Sequence, residues 1–204
     1  MQTNTSRALA VAIWPESVSR ALQAIVLVLL GTAILAVSAK IKVPFYPVPM
    51  TLQTFAVMAI AAAYGSRLAV ATVLAYLVEG ALGLPVFSNT PPAVASLAYF
   101  LGPTGGFLIG FIALAWIVGS AADRGWDRSI PKLFAAMIVA DVVVFALGFV
   151  WLAWFAQLSS GATGVGAAGA FTGGVVPFLL ADLLKIALAA LAIPAAWGLI
   201  DKRA

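Results

Sequence analysis

The residues of this chain best placed to do chemistry are Asp182 and Lys185, in the stretch FLLADLLKIAL at 178–188. Three positions apart on a helix, they share a face. A helix this apolar belongs in a bilayer, where a charge at depth costs several kcal/mol unless it is paired or faces a polar cavity. Two readings follow. The two side chains neutralise each other as a structural ion pair, or they form a binding site. An acceptor beside a cationic donor suits a ligand with N–H donors at one end and an anion at the other. A buried pair already satisfied is often no better than an apolar substitute, which favours the second reading.

Two further acids lie in apolar segments. Glu79 sits near the outer end of its helix, within reach of water or a loop, and Asp141 lies well inside another helix. A structural role is the expectation for both. Thr51 and Gln53 follow a proline-rich run. Thr51 reads as a helix N-cap. Gln53, with both donor and acceptor functions, could orient a polar ligand from the helix end. The chain has no Cys and no His, so it lacks thiolate chemistry and the commonest general base and metal ligand. No acids cluster at metal-site spacing, and there is no G-x-x-x-x-G-K-[ST] phosphate loop. The sequence therefore argues against an enzyme, and no cofactor is expected.

The elements that must position these residues are membrane helices. Of the 204 residues, 64% are hydrophobic and 9% charged, and the mean hydropathy is +1.11. Soluble domains run near half apolar and a quarter charged. Residues 1–204 read as a single membrane domain of the all-α class. The apolar runs are continuous, unlike the alternation of a β-barrel. Six spans are predicted, at 21–39, 51–64, 67–82, 105–121, 132–157 and 175–199. The first reads as a span rather than a cleaved signal. Prolines in KIKVPFYPVPM and GLPVFSNTPPA break the chain between spans. YGSR reads as a tight turn, and SSGATGVGAAGAFTGG as a flexible loop of small residues.

Six spans put Arg7, Arg20, Arg67, Arg124, Arg128, Lys132, Lys202 and Arg203 on one face, against Lys40 and Lys42 on the other. That asymmetry predicts cytoplasmic termini, and five or seven spans would scramble it. The net charge of +4 thus reflects topology, and no nucleic-acid partner is expected. The inner loops read as plain connectors. The outer loops hold Phe45, Tyr46, Phe87, Asn89 and Tyr99 among Pro and Gly. Irregular backbone at this level is buried in protein or lines a cavity, which reads as a lid over an outward pocket. Equally, aromatic residues gather at any membrane interface.

Four strings occur in one order: VPMTLQT (48–54), GLPVF (83–87), LGPTGGFLIGF (101–111) and DLLK (182–185). Together they resemble the BioY family, the biotin-binding S components of energy-coupling-factor (ECF) transporters, from the first helix to the sixth. The resemblance implies the six-helix ECF S-component fold in the cell inner (plasma) membrane, with high-affinity capture of biotin from outside. It implies that Asp182 accepts from the ureido N–H groups and that Lys185 pairs with the valerate carboxylate. By the same resemblance Asn89 contacts the ureido group, and Gln53, Phe45 and Tyr46 form walls. Desolvating the bicyclic ring and chain would supply most of the affinity.

The implied partners are biotin, the lipid bilayer, and an ECF transmembrane coupling subunit with ATPase subunits. Any ATP hydrolysis then falls to separate polypeptides, and the loaded protein topples in the bilayer. A homo-oligomer, or transport without dedicated partners, stays open. Many S components carry Ala-x-x-x-Ala on the first helix for docking. Here Thr32 and Ala36 hold that spacing, without an Ala pair. Two alternatives remain: an S component for another vitamin, or a proton-coupled secondary transporter using Asp141 and Glu79.

Overall fold

The structure, a computed structural model, describes residues 9–12 and 18–201. Arg7, Lys202 and Arg203, used above for orientation, lie outside the described residues, as do both termini.

Among the described residues eight helices run in order: α1 (Leu9–Ala12), α2 (Arg20–Lys40), α3 (Gln53–Tyr64), α4 (Ser66–Ala81), α5 (Gly105–Asp123), α6 (Ile130–Trp154), α7 (Gly166–Gly174) and α8 (Val176–Asp201). Four apolar stretches among the described residues have the length to cross a bilayer: Arg20–Lys40, Gly105–Asp123, Ile130–Trp154 and Gly166–Leu199. Helices α3 and α4, of 12 and 16 residues, complete the six predicted from sequence. At about 1.5 Å per residue they are shorter than the roughly 30 Å hydrocarbon core.

Glycine sets the closest helix approach. Gly106 of α5 lies against Trp151 and within 2.7 Å (from an added Cβ) of the Leu147 carbonyl. A Cβ on Gly110 would meet the Val144 backbone at 3.0 Å, and one on Gly148 of α6 would strike the Phe107 ring. The four-residue glycine spacing of GGFLIG thus seats α5 directly on the α6 backbone. Leu114, Val118, Leu133, Met137 and Ala140 are fully buried between α5, α6 and their neighbours.

The tight turn expected at YGSR is present. Gly65 adopts φ +76° between α3 and α4, a region open to Gly at little cost. The Asp123 carboxylate then accepts from the Ser66 N–H at 3.1 Å and from the Ser66 hydroxyl. An acid at a helix N-terminus also meets the positive end of the dipole.

Several local expectations are corrected or refined. The proline-rich run forms a hairpin, β1 (Lys42–Val43) antiparallel to β2 (Met50–Thr51). Thr51 is therefore in a strand and not the N-cap of α3, which is Leu52 without a side-chain cap. The Thr51 hydroxyl still accepts the Gln53 N–H at 3.3 Å. The segment 159–174 contains helix α7 and is not simply a loop. Its small residues serve close packing: Cβ atoms on Gly173 and Gly174 would reach Pro47 Cδ at 2.8 Å and Leu152 Cδ2 at 2.6 Å. The chain before it is tied to the end of α6 by Val165 N to Leu152 O, 3.0 Å, and Gly164 N to Ala156 O, 2.8 Å.

The inner loop at 123–132 is also more than a connector. A short 3₁₀ turn, Trp126–Arg128, buries Asp127, which accepts from the Trp197 indole N–H of α8. The Arg128 guanidinium lies 3.9 Å from the centroid of the same ring. Burial pushes the Asp127 carboxyl above its usual range, against the pull of the Trp197 bond and Arg128. Finally, Thr32 of α2 is buried in the bundle and donates to the Leu29 carbonyl at 3.1 Å. The Thr32/Ala36 pair therefore does not present a free small-residue stripe outward.

Candidate functional site

A cavity lies at the end of the bundle that carries the β1–β2 hairpin and the α4–α5 loop, termed outer after the orientation expected from sequence. Thr51 of β2, with Gln53 and Thr54 at the start of α3, forms one wall, facing Asp182 and Lys185 of α8. Phe107, Leu108 and Phe111 of α5, Val144 and Phe145 of α6, and Phe178 of α8 make the apolar side. Phe87, Ser88 and Tyr99 reach in from the loop joining α4 to α5.

Helical spacing brings Asp182 and Lys185 together as expected. The Lys185 ammonium donates to Asp182 Oδ1 at 2.6 Å, to the Thr51 carbonyl at 2.7 Å and to Thr54 Oγ1 at 3.2 Å. Thr54 in turn donates to Asp182 Oδ1 at 3.0 Å. The Asp182 residue is only 3% exposed. Its second oxygen, Oδ2, has no partner among the described residues and is not sealed from solvent. The arrangement is an ion pair with one acceptor left over, set against aromatic and aliphatic walls. It offers a ligand a charge-assisted acceptor, an ammonium and a dry flank.

Gln53 also lines the cavity, but its amide is committed. Nε2 donates to the Tyr76 hydroxyl at 2.8 Å, and that hydroxyl donates to the Val86 carbonyl at 3.1 Å. Gln53 thereby ties the floor of the site to the α4–α5 loop. Phe45 does not line the cavity. It packs edge-on against the lining residue Phe178, with centroids 6.3 Å apart. Tyr46 and Asn89 line a separate outer cleft of about 440 Å³, which shares Tyr99 and Thr104 with the inner cavity. Asn89 does not line the cavity that holds Asp182, and its Oδ1 accepts from Lys42 at 3.0 Å.

The contribution of the outer lysines was not legible in their spacing. Lys40 Nζ donates to the carbonyls of Phe87, at 2.6 Å, and Thr90, and Lys42 Nζ to the Ser88 carbonyl at 2.6 Å. The two lysines noted for topology thus clamp the loop that roofs the cavity. Beneath it, Phe87 stacks on Tyr99 at 4.6 Å and meets Tyr76 and Phe100 edge-on. Gly80 leaves the space that the Phe87 ring fills. Thr54 and Tyr76 carried no sequence signal, since a lone Thr or Tyr in an apolar helix has many structural uses.

Of the two other acids, Glu79 is half-buried and lines no part of the cavity. Asp141 is 7% exposed, and its Oδ1 is buried without a hydrogen-bond partner. Val144 and Phe145, three and four residues on, line the cavity. Asp141 therefore lies on the same face of α6, one turn further from the outer end.

Comparison with known proteins gives a consistent result. The sequence profile of the BioY family matches residues 6–202. A protein of Pyrococcus horikoshii named as a probable biotin transporter BioY is 37% identical over 163 residues, covering 80% of this chain and 89% of that one. The biotin transporter BioY of Thermotoga maritima is 36% identical over 160 residues, covering 78% and 87%. The crystal structure of the S component for biotin from an ECF-type ABC transporter superposes with a TM-score of 0.69. That match covers 88% of this chain and 94% of the other at 19% identity, which establishes the shared fold.

Proposed function

The chain belongs to the BioY family, and on that premise we propose that it captures biotin and carries it across the membrane as the substrate-specific S subunit of an ECF-type transporter. The single observation that carries this reading is the Asp182–Lys185 pair opening onto an apolar, aromatic-roofed cavity. Biotin presents two N–H donors at its ureido ring and a carboxylate at the end of an apolar chain. Asp182 Oδ2 accepts from the ring, and Lys185 exchanges one of its present bonds for the carboxylate. The Thr54 contact, at 3.2 Å the longest of the three, is the one most readily given up. Phe107, Phe111, Val144 and Phe178 flank the ring and chain and supply the hydrophobic part of the affinity.

The cavity itself measures about 50 Å³, against roughly 300 Å³ or more for small-molecule sites. Entry therefore requires a wall to yield. The α4–α5 loop is the wall held by side-chain contacts, through Lys40, Lys42 and Tyr76, and it separates the cavity from the outer cleft. In this reading Tyr46 and Asn89 line the entry route, Asn89 reaching the ureido group once Lys42 lets go. Gln53 and Phe45 act from behind, by holding the floor and Phe178.

The protein sits in the plasma membrane with cytoplasmic termini. It is a transporter subunit rather than an enzyme, and ATP hydrolysis falls to separate subunits. Titration of the purified, detergent-solubilised protein with biotin tests the reading, with thiamine and riboflavin as controls. Saturable one-site binding of biotin alone is expected. Preferential binding of either control would move the assignment to another vitamin.

A further inference from the structure

Among the described residues, Asp141 Oδ1 is the one buried side-chain oxygen or nitrogen without a hydrogen-bond partner. Buried polar atoms in native proteins are nearly always paired, and an orphan carboxylate oxygen at membrane depth calls for an explanation. The Asp141 carboxyl lies close enough to Asp182 and Lys185 to feel both charges. Helices α5, α7 and α8 and the 3₁₀ turn at 126–128 pack on α6. Helix α7 carries no ionisable residue, and α5 carries only Asp123 at its inner end. Asp127 and Arg128 of the 3₁₀ turn are committed to Trp197 at the inner end. Lys132 begins α6, also at the inner end, and Asp201 ends α8 there. Asp182 and Lys185 are thus the charged groups that Asp141 faces.

With all three groups ionised, this buried cluster carries two carboxylates against one ammonium, a net of −1. A carboxylate ligand docking on Lys185 would raise that to −2 in a poorly solvated site, where like charges repel strongly. Asp182 and Lys185 are bonded to each other at 2.6 Å. Asp141 has no such partner, so it is the group that can be neutralised without breaking a contact.

We propose that Asp141 is the proton-accepting member of the site, taking up one proton from solvent when an anionic ligand binds beside Asp182 and Lys185. The step is a simple addition: buffer loses a proton, the Asp141 carboxylate becomes a carboxylic acid, and the cluster keeps its net charge. The inference rests on the assignment of an anionic ligand made above and adds a linked proton to it.

The test is calorimetric titration of the whole protein with biotin near pH 8.5, in buffers of different ionisation enthalpy. The slope of observed enthalpy against buffer enthalpy counts protons taken up. About one is expected for biotin and none for uncharged biotin amide, with biotin affinity falling about tenfold per pH unit where a full proton is taken up. D141N should bind biotin without proton uptake, and D141S gives the same reading should the first variant fold poorly. Biotin binding with no uptake in the unmodified protein, or uptake that persists in both variants, would overturn the proposal. Absence of biotin binding altogether would instead overturn the ligand assignment beneath it.

Discussion

Replacing Lys185 by Met separates a carboxylate-reading ammonium from a merely structural one. In the structure Lys185 holds three acceptors: Thr51 O at 2.7 Å, Asp182 Oδ1 at 2.6 Å and Thr54 Oγ1 at 3.2 Å. Its removal leaves Asp182, 3% exposed, with the single Thr54 donor at 3.0 Å. Stranding one member of a buried pair costs about 3–5 kcal/mol of stability. That loss is common to every ligand, since all of them bind the same destabilised protein. The ratio of two ligands' affinities therefore isolates the contact. A hydrogen bond to a charged group is worth about 1.5–3 kcal/mol, so K185M should bind biotin about 10- to 150-fold more weakly. Biotin amide, with no negative charge to pair, should lose less than about threefold beyond the shared effect. Titration of both ligands into both proteins gives the four constants. Equal losses for acid and amide would refute the argument and return Lys185 to a structural ion pair.

Asp182→Asn should weaken acid and amide alike, by about 2–5 kcal/mol. Near-unchanged affinity in the same titration would remove Asp182 from the site. Gly80→Ala puts a Cβ into the Phe87 ring and should cost about 1–3 kcal/mol by overpacking. Thermal unfolding in detergent reads this, and Gly80→Ala/Phe87→Leu should recover most of it. Full stability in the single variant would mean the loop shifts freely. For Asp127, burial raises the folded carboxyl above its unfolded value. Its contribution to stability is thus complete below the unfolded value and lost as pH rises through the folded one. Asp127→Asn keeps an acceptor for Trp197 and cannot ionise, so its stability should fall less than the unmodified protein's as pH rises above about 4. Parallel melting curves from acid to neutral pH would refute that account.

Much of the architecture was written along the chain, because a bilayer imposes a one-dimensional demand. Each span must be long, apolar and internally hydrogen-bonded, so the long apolar runs at 21–39, 105–121 and 132–157 announced their helices. The same demand made Asp182 and Lys185 conspicuous, and helical spacing alone placed them on one face. Close packing was partly visible in the glycines of LGPTGGFLIGF. The α7 segment misled because Gly and Ala encode both flexible chain and tight helix contact, and only the presence of Leu152 and Pro47 beside it decides between them.

What tertiary structure alone settled is which distant groups meet. Thr54 reaches Asp182 across 128 residues, and Lys40 reaches Thr90 across 50. Such pairings depend on how helices cross and loops fold back, and no local pattern records them. Asn89 and Tyr46, grouped with Asp182 by resemblance, stand in the outer cleft because Lys42 and the hairpin hold them there. The orphan oxygen of Asp141 is likewise a fact about surroundings. The sequence by itself determined that two opposite charges share one helix face inside a membrane. The three-dimensional packing determined that they open onto an apolar cavity with a third, unpaired carboxyl at their side.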